Sequence, residues 1–138
     1  MSDISFQAYE GEILGIVGLM GAGRTELMKT IFGAYRKTSG IIKIRGKKVH
    51  IKSPSDAIDV GIAYLTEDRK KDGLFLELSI KENIISASYN AFSPRGFIND
   101  SKAEKNILEY VQKMSIKMRN STQTAGTLSG GNQQKAMV

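Results

Sequence analysis

The stretch ILGIVGLMGAGRT, Ile13–Thr25, joins an apolar run to a glycine-rich loop and the start of a helix. The apolar residues Ile13 to Val17 predict a buried strand. A helix is predicted from about Thr25 to Phe32, with Gly33 as its stop. A glycine loop between a buried strand and a helix is the setting of a phosphate-binding loop, so the segment from Gly18 to Thr25 is a candidate phosphate site.

The chemistry of such a loop explains its composition. Glycines let the backbone curl so that several N–H groups point at a phosphate, and the following helix adds the positive end of its dipole. The Thr25 hydroxyl is the natural ligand for a Mg²⁺ ion that bridges phosphates. The predicted nucleotide-binding residues are Gly18, Leu19, Met20, Gly21, Ala22, Gly23, Arg24, Thr25 and Glu26.

One position departs from the pattern G-x-x-x-x-G-K-[ST], because Arg24 stands where lysine is expected. Arginine keeps the positive charge but is a larger, planar group. We therefore expect Arg24 to retain phosphate binding but not to reach the place at the terminal phosphates that the lysine would occupy. On this motif alone, a simple glycine turn between a strand and a helix stays an alternative.

The segments around the loop alternate between strand and helix patterns. Residues Ile4, Phe6 and Ala8 predict a first strand that turns at Glu10-Gly11. Further predicted elements are a hairpin of Ile41–Arg45 and Lys48–Ile51 turning at Gly46, a helix capped by Ser53 with Pro54 first and Gly61 beyond its end, and a strand Ile62–Leu65. Interleaved strands and helices favour an α/β architecture with a mixed sheet.

The second half is predicted to be mainly helical. Ser79 and Glu82 have capping-box spacing before a helix that starts at Ile80. A loop carries Pro94, Gly96 and Asn99, and Ser101 and Glu104 repeat the capping box before a longer helix with Ile107, Leu108, Val111 and Met114 on one face.

Composition excludes several classes of protein. The 138 residues are 41% hydrophobic and 25% charged, which is typical of a globular chain rather than a disordered one. They contain no cysteine, no run of about 18 apolar residues and no signal-peptide pattern at the start. The net charge is +6, but the basic groups Lys47-Lys48 and Arg69–Lys71 are not interleaved with aromatic residues. We therefore expect a solvated basic face and no nucleic-acid partner.

The segment LSGGNQQK, Leu128–Lys135, carries the most specific signal in the chain. A serine and two glycines at a helix start can offer a hydroxyl, backbone N–H groups and the helix dipole to an anion. With this segment and the glycine loop upstream, the chain resembles the nucleotide-binding domains of ABC transporters. The resemblance implies a signature that contacts ATP held by another domain, formed by Leu128, Ser129, Gly130, Gly131, Asn132 and Gln133.

The resemblance extends over nearly the whole chain and can be made narrower. The segments GEILGIVGLMGAGRTEL, TEDRKKDGLF, SIKENI and LSGGNQQK, in this order, are similar to the second of two fused ATPase domains in simple-sugar importers of the ribose, xylose, galactose and methyl-galactoside type. Arginine is common in the phosphate loop of that subgroup, so Arg24 is consistent with it. By the same resemblance, Glu67 falls where other ABC domains place the glutamine that senses the γ-phosphate and faces the membrane subunit.

The resemblance also implies an architecture and its partners. The fold would be that of a P-loop NTPase-like ABC ATPase domain, with an antiparallel β part and the phosphate loop in residues 1–75 and a helical part in residues 76–138. Its cofactors would be ATP and Mg²⁺. Its partners would be the other ATPase domain of the same polypeptide or a second copy, membrane permease subunits and, indirectly, a periplasmic or extracellular sugar-binding protein. The location would be peripheral, on the cytoplasmic side of the cell membrane.

In such a machine each ATP lies between one domain's loop and the other domain's signature. The site with Arg24 would bind ATP and hydrolyse it poorly, and the site with Ser129 to Gln133 would turn over. Family domains continue after the signature into a strand ending in Asp-Glu and then a histidine switch. Neither follows here, and the single histidine, His50, is expected at the surface. We therefore expect no catalytic residue and no ATP hydrolysis by these 138 residues alone.

Two other classes remain as alternatives. An ABC-type ATPase of DNA repair or chromosome maintenance shares both motifs, but it would need coiled-coil heptads, which the sequence lacks. A non-catalytic regulatory module would bind phosphate-bearing ligands without turnover. The transporter interpretation requires the glycine-bearing helix starts near residues 23 and 130 to be open to a ligand.

Overall fold

The computed structural model describes residues 3–86, 88–92 and 100–138. The chain divides into two compact units, Met1–Tyr64 and Leu65–Val138, and each is described by itself. Among the described residues, no helix has both the length and the apolar character needed to cross a membrane.

The described residues of the first unit form two helices and one hairpin. Its elements are α1 (Arg24–Ile31), β1 (Ile42–Ile44), β2 (Lys47–Val49) and α2 (Pro54–Asp59). Helix α1 begins one residue before the predicted start and ends just before Gly33, whose φ of 80° stops the helix. The predicted helix after the glycine loop is therefore confirmed.

The hairpin is also confirmed, with its turn at Gly46. Strands β1 and β2 pair antiparallel, with Ile42 opposite Val49. The two turn residues, Arg45 and Gly46, have φ values of 49° and 76°. Positive φ at both central residues is the geometry that matches the twist of a two-residue hairpin.

Helix α2 begins with a reciprocal cap. The Ser53 hydroxyl accepts a hydrogen bond of 3.3 Å from the Asp56 N–H, and the Asp56 carboxylate accepts one of 2.9 Å from the Ser53 N–H. Hydrogen bonds from the Lys52 backbone N–H and then from the Ser53 hydroxyl lower the pKa of Asp56. With Pro54 first and Gly61 after the last turn, the predicted caps of this helix are confirmed.

The second unit is helical. Its elements are a π-helical turn (Arg69–Gly73), α3 (Ile80–Ser86), α4 (Tyr89–Phe92), α5 (Asp100–Lys113), a 3₁₀ turn (Ala125–Thr127) and α6 (Gly130–Met137). Helix α3 packs against both α5 and α6. Its fully buried Ile80 lies in one apolar cluster with Leu128 and Ala136, and Ile85 lies in a second with Ala103 and Ile107. Apolar burial around Ile80 therefore fixes α6, and burial around Ile85 fixes α5.

The predicted capping box of α3 is confirmed. The Ser79 N–H donates to the Glu82 carboxylate at 2.8 Å, and the Glu82 N–H donates to the Ser79 hydroxyl at 3.1 Å. A buried polar contact that the sequence did not predict holds the preceding loop: the Asn83 side chain accepts from the Phe75 N–H at 2.8 Å and donates to the Phe75 carbonyl at 2.9 Å.

Three predicted strands require correction: Ile4 to Ala8, Ile13 to Val17 and Ile62 to Leu65. None of them is a strand in the structure, and Ile13 and Val17 are 97% and 91% exposed rather than buried. An apolar pattern shows only that a segment could form a strand, whereas the hydrogen-bond ladder of a β-sheet also needs a neighbouring segment to pair with. The sheet of the described residues is the two-stranded antiparallel hairpin, so the predicted mixed sheet is not found there.

Three smaller predictions are either corrected by the structure or fall on residues outside its described part. Phe6, in the first predicted strand, and the nearby Tyr9 are exposed rather than packed in a core or on the face of a sheet. Helix α5 begins at Asp100, so Ser101 lies inside it rather than at its cap, and Leu108 is 53% exposed. Ile107 is buried and its neighbour Leu108 is not, because successive helical residues point about 100° apart. The predicted loop with Pro94, Gly96 and Asn99 lies outside the described residues.

Candidate functional site

The glycine loop of the first unit is a tight turn that leads into α1. The Ala22 N–H donates to the Leu19 carbonyl at 3.0 Å, and Gly21 and Gly23 have φ values of 78° and 83°. L-amino acids with side chains rarely adopt such φ values, so the turn depends on glycine at these two positions. Leu19 and Met20, at the tip, are 87% and 97% exposed. The loop is therefore open to solvent.

The loop is narrow at its base. A Cβ atom added to Gly18 would lie 3.0 Å from the Ala22 Cβ and 3.7 Å from the Arg24 Cδ. The Arg24 side chain thus folds back towards the residue that opens the loop, and the space beside Gly18 is too small for a side chain. A curled backbone with an arginine beside it suits an anionic group such as a phosphate.

The start of α1 offers its backbone N–H groups. Gly23 is the N-cap residue, and no side chain caps the helix. The first N–H groups of a helix have no partner within it, and they carry the positive end of the dipole. Thr25 is half-buried and Glu26 is exposed in this first turn. These residues fit a phosphate group with its Mg²⁺ ion, for which the Thr25 hydroxyl is the candidate ligand.

The LSGGNQQK segment begins α6 in the second unit. Leu128 is buried and anchors the segment in the apolar cluster of Ile80 and Ala136, while Ser129 and Gly131 are exposed. Ser129 is the N-cap residue, yet its side chain makes no cap hydrogen bond to the helix. Like α1, α6 therefore presents first-turn N–H groups without a side-chain cap.

Polar contacts fix the residues after Ser129. The Asn132 amide donates to the Ser129 hydroxyl at 3.0 Å and accepts from the Lys117 N–H at 2.9 Å. The buried Gln133 donates to the Ala125 carbonyl at 3.3 Å and accepts from the Arg69 Nε at 3.1 Å. The sequence singled out Asn132 and Gln133 only by resemblance, and it did not indicate their partners.

Glu67 lies in the second unit, two residues before the π-helical turn, and is exposed. The Asp68 carboxylate caps that turn by accepting a hydrogen bond of 3.1 Å from the Lys71 N–H. The structure thus brings the Glu67 segment close to the signature through Arg69, and it places Gly18–Glu26 in the other unit. His50 is at the surface, as predicted.

A comparison with known families gives the class of protein to which the chain belongs. The family described as ABC transporter matches residues 1–138, the whole chain. The chain belongs to this family. The family implies a P-loop NTPase fold, which the glycine loop and α1 carry in the first unit.

Individual relatives are more specific. The chain is 50% identical to the ribose import ATP-binding protein of Clostridium tetani (strain Massachusetts / E88), with 100% of the chain and 28% of that protein covered. It is 48% identical to the xylose import ATP-binding protein of Thermoanaerobacter pseudethanolicus (strain ATCC 33223 / 39E), with the same coverage. A putative ribose/galactose/methyl galactoside import ATP-binding protein of Halalkalibacterium halodurans is 45% identical, with 99% and 26% covered. The chain thus spans little more than a quarter of these relatives, and the predicted similarity to sugar importers is confirmed.

Proposed function

We propose that this chain is an ATP-binding domain of an ABC importer that couples ATP binding and hydrolysis to the uptake of a simple sugar. One structural contrast carries the proposal. Helices α2 and α3 are capped by Ser53 and by the pair Ser79 and Glu82, whereas α1 and α6 have no side-chain cap. Both uncapped helices begin in exposed glycine-bearing segments, where a bound anion can take the place of the cap.

In the first of these segments, the amides around Gly18 to Gly23 would hold the phosphates of ATP. The Arg24 guanidinium would add positive charge, and the Thr25 hydroxyl would hold Mg²⁺. When bound, magnesium-ATP supplies the phosphoryl group whose transfer to water releases free energy. We propose no catalytic carboxylate among the residues of this chain, so the chain alone is expected not to hydrolyse ATP.

In the second segment, which runs from Ser129 to Gln133, the exposed residues Ser129 and Gly131 would contact an ATP held by the loop of a partner ATPase domain. The Ser129 hydroxyl and the open side of Gly131 face solvent, which leaves room for a phosphate to approach. Glu67 would lie near the γ-phosphate and the membrane subunit. The site with Arg24 would bind ATP and turn it over slowly, and the site completed by Ser129 would be the faster one.

The remaining partners follow from the relatives, which are named as ATP-binding proteins for import of ribose, xylose and related sugars. The domain would act at the cytoplasmic face of the membrane with permease subunits and a sugar-binding protein. Those proteins, rather than this domain, would select the sugar.

Nucleotide titration of the full-length protein tests the proposal. We expect Arg24→Gln to weaken ATP binding at one site about tenfold, since a charge-assisted contact to phosphate is lost, and Arg24→Lys to retain it. Arg36→Gln, at an exposed arginine outside the loop, is the matched control and should bind ATP as the wild type does.

Transport provides the second measurement. With its permease in lipid vesicles, the wild type should drive uptake of ribose or xylose only when magnesium-ATP is present. Hydrolysis stimulated by DNA, or binding of a free sugar phosphate in preference to ATP, would contradict the importer assignment.

A further inference from the structure

The side chain of Arg69 links the segment that follows Glu67 to the start of α6. Its Nε atom donates to the Gln133 Oε1 at 3.1 Å, and the Gln133 Nε2 donates in turn to the Ala125 carbonyl at 3.3 Å. Gln133 is buried, so both polar ends of its amide are fixed within the protein. A buried amide whose donor and acceptor are both used has one orientation, and Arg69 helps to set it.

The guanidinium group of Arg69 also lies directly against the first residue of α6. A Cβ atom on Gly130 would be 3.0 Å from the Arg69 Nη2 and 3.3 Å from its Cζ. Because glycine has no side chain, position 130 leaves room for the guanidinium group of Arg69. By contrast, a Cβ atom on Gly131 would meet nothing within 4 Å. The two glycines of the signature thus differ: Gly130 accommodates Arg69 and Gly131 faces open space.

A second contact lies at the other end of the helix. A Cβ atom on Gly73 would be 2.5 Å from the Met137 Cε and 2.8 Å from its Sδ. The π-helical turn Arg69–Gly73 thus contacts α6 at its first and last residues, Gly130 and Met137. Because this turn contacts α6 at both of its ends, it fixes where the helix starts and how it is oriented.

From these contacts we propose that Arg69 is a positioning residue for the signature. It holds Gln133 and the first turn of α6 so that Ser129 and Gly131 present their polar groups to the shared ATP. This inference rests on the proposed function, because it assigns Arg69 a role in that same site. Arg69 acts through its hydrogen bond to Gln133, in the first turn that begins at Gly130, rather than by touching the nucleotide.

The chemistry of arginine explains why lysine should not replace it. The guanidinium is a planar fork that donates from Nε and lies against Gly130, whereas an ammonium group is a point charge on a flexible chain. If Arg69 only supplied positive charge near the ATP, Arg69→Lys would preserve activity. If it positions the helix, Arg69→Lys and Arg69→Ala should be impaired alike.

The test uses the full-length protein and steady-state hydrolysis of magnesium-ATP. We expect kcat to fall about tenfold in Arg69→Ala and in Arg69→Lys, with KM changed less than about twofold, because misplacement of a group that completes the site affects turnover more than initial binding. Arg119→Ala, at an exposed arginine of the same unit, is the matched control and should stay within about twofold of the wild type in kcat.

A double-mutant cycle then tests the contact itself. If Arg69 acts through Gln133, kcat of Arg69→Ala/Gln133→Ala should lie within about twofold of kcat for Gln133→Ala alone. Three results would each overturn the proposal. They are losses of kcat that multiply in the double variant, full activity of Arg69→Lys, and a rise in KM with unchanged kcat.

Hydrogen exchange without nucleotide separates this proposal from the proposed function. The amides of residues 128–134 should exchange faster in Arg69→Ala than in the wild type, and Arg119→Ala should leave them unchanged. Equal exchange in Arg69→Ala and the wild type would overturn the positioning role even if the protein transports sugar. Faster exchange in Arg69→Ala than in the wild type, in a protein that shows no ATPase activity, would support the contact and reject the transport function.

Discussion

The side-chain amide of Asn132 donates a hydrogen bond of 3.0 Å to the hydroxyl oxygen of Ser129, three residues earlier. A serine at a helix start usually accepts a bond from an N–H of its own first turn. Here the hydroxyl instead accepts from the Asn132 amide, and the helix N–H groups are not capped by Ser129. The bond also leaves the hydroxyl proton of Ser129 free to be donated to a phosphate.

We therefore expect Asn132→Ala to lower ATP hydrolysis by the full-length protein. Without the amide, the Ser129 hydroxyl can turn and cap α6, and the Lys117 N–H loses its acceptor. The loss of these bonds should lower kcat several-fold and destabilise the protein by about 1 kcal/mol. Asn120→Ala, at an exposed asparagine of the same unit, is the control for both assays. Wild-type kcat in Asn132→Ala would show that this bond has no part in turnover.

Gly33 is predicted to be the glycine of the first unit least tolerant of substitution. Its φ is 80°, and a Cβ atom there would lie 2.6 Å from the Ser53 carbonyl oxygen. Gly33→Ala should therefore lower the free energy of unfolding by about 2–4 kcal/mol through strain and overlap together. Gly40→Ala is the matched control, since Gly40 has a φ of 88° but no atom within 4 Å of its added Cβ.

For the Gly40→Ala control only the strain contributes, about 1 kcal/mol. Urea denaturation followed by circular dichroism measures both differences. An equal effect of the two substitutions would contradict the close approach of Gly33 to Ser53.

The cap of α3 should make stability depend on acid pH. The Ser79 hydroxyl, and then the Ser79 backbone N–H, lower the pKa of Glu82 below its ordinary value. A carboxylate with a lowered pKa in the folded state stabilises the protein above its unfolded pKa, and this stabilisation is lost as pH falls through the folded value. Glu82→Gln should therefore be less stable than the wild type at neutral pH.

The same difference should shrink as the pH is lowered through the acid range. Thermal unfolding of both proteins across that range measures the trend. Glu77→Gln, at an exposed glutamate of the same unit, controls for loss of one charge. A constant difference between Glu82→Gln and the wild type at all pH values would show that the charged form of Glu82 is not what caps α3.

The elements that could be predicted are those whose determinants lie close in sequence. Ser53 and Asp56, or Ser79 and Glu82, are three residues apart, so the sequence contains the whole cap. The turn at Arg45-Gly46 is likewise local. The segment Ile13 to Val17 has the apolar pattern of a strand, but a strand also needs a partner, and local pattern cannot supply one.

The candidate site shows the same division. The glycine loop and the signature could be found because each is a short motif that lies at a helix start. The contact of Arg69 with Gln133 joins residues 64 positions apart, and no local spacing indicates it. In the sequence, the only indication of this contact is the position of Arg69, two residues after Glu67 in a motif that the family resemblance had already marked.

The most direct test of the central claim is the ATPase rate of Gly131→Ala in the full-length protein, measured beside its thermal unfolding midpoint. A Cβ atom on Gly131 would meet nothing within 4 Å, and alanine favours a helix over glycine by up to about 1 kcal/mol. The midpoint should therefore stay the same or rise. The added methyl would nevertheless stand where the phosphate approaches α6.

We predict that kcat of Gly131→Ala falls at least about tenfold while the fold is as stable as before. Gln134→Ala, at an exposed residue of the same helix, should hydrolyse ATP at the wild-type rate. Wild-type kcat in Gly131→Ala would contradict the claim that the start of α6 binds a phosphate of ATP.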